Sequence, residues 1–222
     1  MQLAFPAVLP LLMAFCLTVP VSTLAAAAPA AKVTPEAQAT QDEKGSQTAD
    51  DEKSSQEAES APPNVWLSID TDQLQLAVME GEKPLQVFEN IAIGSNGPTL
   101  AKRRGDSTTP LGEFTITQIR PSDRFELFMA ISYPNLEHTE RAWQENRIDV
   151  AEYKALRYNL DRGQPPSQGT SLGGQLGIHG VGRGDMKVHE TVNWTEGCIA
   201  LTNEQLRDLA KWVVVGTRVV VR

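Results

Sequence analysis

Apolar and polar residues alternate with a period of two in Val65-Trp66-Leu67-Ser68-Ile69-Asp70 and again in Leu74-Gln75-Leu76-Ala77-Val78, the pattern of strands that bury one face. Gly81-Glu82-Lys83-Pro84 breaks the run and turns the chain before a third apolar stretch, Leu85 to Ile93. The pattern predicts an opening β-meander. Further along, Pro110-Leu111-Gly112 leads into a strand over Glu113 to Ile119, Met129 to Ser132 reads as another, and Thr217 to Val221 closes the chain as one more. Helix-favouring composition covers Glu140 to Asn146 and Val150 to Arg162, with Asp149 placed to cap the second segment. The Gly, Pro, Gln and Ser of Asp161 to Gly177 predict a loop. Thr202-Asn203-Glu204-Gln205 fits a capping box opening a helix that runs to about Val213. A mainly β order with a helical insertion and one late helix predicts a small β-sandwich, an architecture that by itself fixes no function.

The first 63 residues follow a different pattern. No charged side chain occurs before Lys32, Leu3 to Leu17 is apolar, and Thr23-Leu24-Ala25 or Ala25-Ala26-Ala27 offers the small residues that signal peptidase cuts. Residues 1–28 therefore read as a signal peptide, although without an initial Lys or Arg, with an uncleaved anchor as the alternative because the uncharged stretch is long. The protein is expected to be exported and periplasmic, touching membrane only through that signal if it is retained. Residues 29–63 are rich in Ala, Gln, Ser, Glu and Asp and read as a disordered tether. Their eight carboxylates against three lysines carry −5 of the chain's formal −8. Residues 64–222 are left with about −3, which points away from nucleic-acid binding, and are long enough for one domain with a full core.

Candidate chemistry lies in the second half. Cys16 leaves with the signal, so Cys198 is the one cysteine of the predicted mature chain. Exported proteins normally pair their cysteines, and a solitary thiol reads as a reactive group. A thiol of ordinary pKa is only a few per cent thiolate at neutral pH and needs a base. Of the three histidines, His179 ends a short apolar segment between Gly177 and Gly180, whereas His138 and His189 sit in polar segments expected to be exposed. Gly197 permits a sharp turn at which amide groups can point towards the oxygen of an acyl substrate.

Residues from about Val65 to Val221 resemble the L,D-transpeptidase (YkuD) family, enzymes of bacterial peptidoglycan maturation. The family's mark is a His, a variable gap, then Ser/Thr-His-Gly-Cys, matched here by His179 and Thr195-Glu196-Gly197-Cys198. Gly105-Asp106-Ser107-Thr108-Thr109-Pro110-Leu111-Gly112-Glu113-Phe114 is similar to its threonine-proline-x-glycine hairpin, and Ser132-Tyr133-Pro134-Asn135 to a string of one branch. The resemblance implies a transpeptidase-like β-sandwich in which Cys198 attacks the third residue of a tetrapeptide stem, typically meso-diaminopimelate, and expels the terminal D-alanine. His179 then serves as base, the Gly180 carbonyl orients its ring, and the amides of Gly197 and Cys198 form the oxyanion hole. Tyr133, Trp194 and Thr195 are implied substrate-binding residues. No cofactor or metal is implied, and the partners are peptidoglycan stem peptides, with an outer-membrane protein as a possible acceptor. Two positions depart from the pattern, Glu196 in place of the second histidine and Ala200 in place of an arginine, so the acceptor stays open among cross-linking, protein attachment, D-amino acid exchange and water.

Rival readings are weaker on sequence grounds. A papain-like peptidase places its cysteine before its histidine, and no histidine follows Cys198. His179, His189 and Cys198 match no zinc spacing. A non-catalytic cell-wall binding module would keep Cys198 as a packed core thiol. The insertion 134–177 reads either as a lid over the site or as a decorative excursion.

Overall fold

The computed structural model of the protein describes residues 64–222; the expected signal peptide 1–28, with Cys16, and the expected tether 29–63 lie outside the described residues. Strands β1 (Val65–Asp70), β2 (Gln75–Glu80) and β3 (Lys83–Phe88) pair antiparallel in sequence order, the meander expected from their alternation. Two short strands, β4 (Pro98–Thr99) and β5 (Thr109–Pro110), form a separate parallel ladder. The remaining strands are β6 (Gly112–Ser122), β7 (Glu126–Ile131), β8 (Gly177–Gly180), β9 (Ile199–Leu201) and β10 (Arg218–Val221). One eight-stranded sheet results, in the order β3-β2-β1-β10-β6-β7-β8-β9.

The sheet bends because β6 serves two neighbours. Its first residues pair with β10, those from Ile116 onward pair with β7, and the register shifts between Ile116 and Gln118. Such an irregularity increases local twist and lets a strand pass from one layer to the other. Beyond β3 the chain crosses over, and Ala92 exchanges backbone hydrogen bonds of 2.9 and 2.7 Å with Ala200 of β9. That crossing is why β3 ends at Phe88 although the apolar run continues to Ile93. Leu67, Ile69, Ile116, Met129, Ile178, Ile199 and Val219 belong to one buried cluster.

Helix α1 (Leu136–Gln144) begins earlier than its composition suggested, because Asn135 caps it by accepting the His138 amide at 3.0 Å. Asp149 caps α2 (Val150–Leu160) as expected. Helix α3 (Met186–Thr191) was not expected, since six residues are too few to show a helical period. Helix α4 (Asn203–Leu209) opens with the predicted capping box of Thr202 and Gln205 but stops short of Val213. Among the described residues no helix is long and apolar enough to cross a membrane.

Two expectations about histidines are corrected. His138 and His189 are each only 4 % exposed, because neighbouring rings cover them, Trp194 in the case of His189. His138 packs against the rings of Phe114 and Tyr133, with centroids 5.4 and 5.0 Å away. Tyr133 is itself in the core, 1 % exposed, and its hydroxyl donates to the Leu172 carbonyl at 3.0 Å.

The capping box gives a direct check on α4. Thr202→Ala removes the hydroxyl that accepts the Gln205 amide and should lower stability by about 1 kcal/mol in urea denaturation, whereas Thr202→Ser, which keeps the acceptor, should lose much less.

Candidate active site

The register of β8 and β9 decides which side chains meet. The strands run parallel with Ile178 opposite Ile199 and His179 opposite Ala200. Ile178 and Ile199 are fully buried and face the core. Successive side chains alternate, so His179 and Cys198 fall together on the other face as diagonal neighbours. Both border a cleft of about 1020 Å³.

His179 is held on three sides. Its Nδ1 lies 2.8 Å from the Gly180 carbonyl oxygen; a carbonyl can only accept, so Nδ1 carries the proton and Nε2 keeps the lone pair. Phe125, at the tip of the β6–β7 hairpin, stacks on the ring with centroids 4.0 Å apart, and Trp194 meets it edge-on at 5.8 Å. Burial lowers the pKa of His179 below its ordinary 6.5; the Gly180 carbonyl opposes this, and the charges of Arg124 and His189 add to it. Glycine at 180 contributes more than its carbonyl, since a Cβ there would sit 2.5 Å from Asn203 Oδ1 and 3.0 Å from the Phe125 carbonyl oxygen.

Cys198 is half-buried, and its Sγ lies 3.8 Å from the Gln175 carbonyl oxygen. Burial pushes the thiol pKa up to about 11; the Gly177 amide and the Lys102 charge pull it down, and Glu196 pushes it up. Glu196 is exposed to solvent. At neutral pH both groups are therefore neutral, a thiol beside an imidazole, so any attack by the sulfur would require its proton to move at the same time.

Hydrogen bonds fix the turn that carries Cys198. Gly197 adopts φ 125°, which L side chains rarely reach, and a Cβ there would sit 2.4 Å from the Thr108 carbonyl oxygen. Thr195 Oγ1 donates to the Cys198 carbonyl at 2.7 Å and accepts the Gly197 amide at 3.1 Å. Lys102 Nζ donates to the Glu196 carbonyl at 3.2 Å, and Thr109 Oγ1 to the Gly197 carbonyl at 3.2 Å. The expected pair of oxyanion amides is thereby corrected: the Gly197 amide is occupied by Thr195. In a trans peptide the N–H points opposite to the C=O. The Cys198 amide therefore faces away from Thr109, and no acceptor for it occurs among the described residues.

The implied substrate-binding residues separate on inspection. Trp194 is half-buried on the cleft wall, its indole N–H donating to His189 Nδ1 at 3.3 Å. Thr195 borders the cleft but is 3 % exposed, with its hydroxyl engaged in the turn. Tyr133 lies in the core and not on the cleft surface, because its ring fills space beside Phe114 and its hydroxyl ties down Leu172. No local pattern points to Lys102, Phe125 or Gln175. Each comes from a segment remote from the cysteine, and only the fold brings them in. Pro165, Pro166, Gln168 and Gln175 of the insertion line the cleft, so its loop is a wall of the site. Among the described residues no three His, Cys, Asp or Glu side chains gather where they could hold a metal ion.

A family model described as YkuD, the L,D-transpeptidase catalytic domain, matches residues 64–221. Among solved structures, the helical cell shape determining protein Pgp2 from Campylobacter jejuni is similar at 22 % identity, over 71 % of this chain and 47 % of that one, with a TM-score of 0.49. An L,D-transpeptidase from Mycobacterium smegmatis is similar at 14 % identity, over 72 % of this chain and 58 % of that one, with a TM-score of 0.43. One from Xylanimonas cellulosilytica is similar at 15 % identity, over 73 % and 63 %, with a TM-score of 0.42. The chain spans about half the length of the first of these structures. No curated protein matches it.

The neutral resting pair sets a pH signature. Alkylation of Cys198 by iodoacetamide should keep accelerating well above pH 8.5, towards a midpoint of about 11. A base whose folded pKa is depressed stays unprotonated to lower pH, so turnover should hold as pH falls to 6.5 and decline only below it. A plateau of alkylation reached below pH 8 contradicts this assignment.

Proposed function

The chain belongs to the YkuD family of L,D-transpeptidase catalytic domains, and from that premise we propose that it is a peptidoglycan L,D-transpeptidase with Cys198 as nucleophile and His179 as base. The observation that carries the reading is the diagonal placement of these two side chains on one face of β8 and β9, bordering the same cleft. His179 Nε2 takes the thiol proton as Sγ adds to the carbonyl of the stem's third residue. The Cys198 amide stabilises the oxyanion. When the tetrahedral intermediate collapses, the bond to the terminal D-alanine breaks and His179 returns the proton to its amine. An acceptor amine then attacks the thioester, His179 removes its proton, and the thiol is regenerated.

Charge supports a stem peptide as the acyl donor. Arg104, Arg120 and Arg124 line the cleft, and Glu196 is the one carboxylate among its described lining residues. Such a wall suits a substrate carrying several carboxylates, which the guanidinium groups can bind in pairs of hydrogen bonds. The cell wall is outside the membrane, and the proposed location is the periplasm of an exported protein. The acceptor in this reading is another stem or an outer-membrane protein; the hydrolytic alternative, an L,D-carboxypeptidase or link-cleaving peptidase, differs only in letting water attack the thioester. Against a wall-binding module with a packed core thiol stands the access of Cys198 to the cleft.

Incubation with purified tetrapeptide muropeptides, read by mass spectrometry, tests the proposal and separates transfer from hydrolysis. The wild type should form a linked product with loss of D-alanine, and Cys198→Ala should form none. His179→Ala should lower kcat by roughly 10²–10⁴-fold, the usual contribution of a positioned base. Turnover by Cys198→Ala, or an inert wild type, would sink the assignment.

A further inference from the structure

Lys102 is buried, 3 % exposed, although lysine is among the residues least often buried. Its ammonium bonds Asp106 Oδ1 at 2.8 Å and the Glu196 carbonyl at 3.2 Å, joining two segments 94 residues apart in sequence. Asp106 is fixed in turn by the amides of Arg103 at 2.5 Å and Thr108 at 3.0 Å. A buried ion pair adds little net stability, and an apolar side chain of similar volume often serves a core as well or better. What this pair adds is a grip on one peptide group. With the Glu196 carbonyl turned to Lys102, the Gly197 amide is turned to Thr195, and the next peptide presents its carbonyl to Thr109. The amide left over is that of Cys198.

We propose that Lys102 is a positioning residue for the nucleophile: its ammonium, anchored by Asp106, holds the Glu196–Gly197 peptide and so aims the thiol and amide of Cys198 into the cleft. The inference rests on the transpeptidase reading only for the identity of the reaction, because the state of the thiol can be read without turnover. Gly197 fits this role, since a Cβ there would sit 3.0 Å from Lys102 Nζ. The positive charge also opposes burial and Glu196 at the sulfur, while Asp106 moderates it.

Two variants of the full chain separate grip from charge. Lys102→Met removes both, whereas Lys102→Gln removes the charge and keeps an amide donor for the Glu196 carbonyl. Iodoacetamide alkylation of Cys198 should move to higher pH in both, with a rate at pH 8 lower by about tenfold for a one-unit rise. On muropeptides, kcat should fall with KM little changed, and further in Lys102→Met than in Lys102→Gln. Thermal unfolding establishes that each variant is folded, and if Lys102→Met does not fold, Lys102→Gln is read alone. An unchanged alkylation profile in a folded Lys102→Gln, or a loss seen in KM with kcat intact, overturns the proposal. If the wild type proves inert on muropeptides, the transpeptidase reading falls while the alkylation comparison still decides the role of Lys102.

Discussion

Two short hydrogen-bonded strands, β8 and β9, set Ile178 against Ile199, and the placement of the reactive groups follows from that register. Side-chain direction along a strand alternates strictly, so a slip of one residue would bring His179 or Cys198 round to the core face. Both isoleucines are fully buried, which makes such a slip expensive. The bridge between Ala92 and Ala200 holds β9 from its other side. The core thus aligns the proposed nucleophile with its proposed base, and the same closure that buries Ile199 turns the cysteine outward.

That alignment has an electrostatic consequence. Packing His179 between Phe125 and Trp194 fixes the ring but removes it from water, and a buried imidazole resists protonation. Burial acts on the thiol in the opposite sense, resisting its deprotonation. An ion pair of thiolate and imidazolium is disfavoured on both counts. The proposed chemistry therefore calls for a concerted route, in which the proton leaves the sulfur only as the carbonyl carbon is attacked, and the Nδ1 bond to Gly180 would keep Nε2 ready for it.

Much of this was legible in the chain because strong local signals coincide with the fold. Alternation marked β1 and β2, the Thr202 box marked α4, and the cysteine and histidine marked two side chains that border one cleft. What escaped was settled by tertiary contacts. His138 and His189 lie in polar strings, yet the first packs against Phe114 and Tyr133 and the second against Trp194. Tyr133 belongs to a string that resembles a family motif, but packing against Phe114 makes it a core pin. The Gly197 amide illustrates a further limit, since peptide orientation depends on partners at Lys102 and Thr109, far off in sequence.

The departure at Glu196 takes on a physical sense in this light. The chain uses that position through its carbonyl, which Lys102 grips, while the carboxylate lies in solvent. An exposed charge is screened by water, so its upward push on the thiol ranks below that of burial. The turn tolerates a changed side chain at 196 because its shape is held by Thr195, Thr109 and Lys102 acting on backbone atoms. Neighbouring Gly197 has no such freedom, for its φ of 125° and the approach of the Thr108 carbonyl leave no room for a Cβ. Side-chain identity is thus free at one residue of the turn and fixed at the next, and it is the peptide groups between them that present the sulfur.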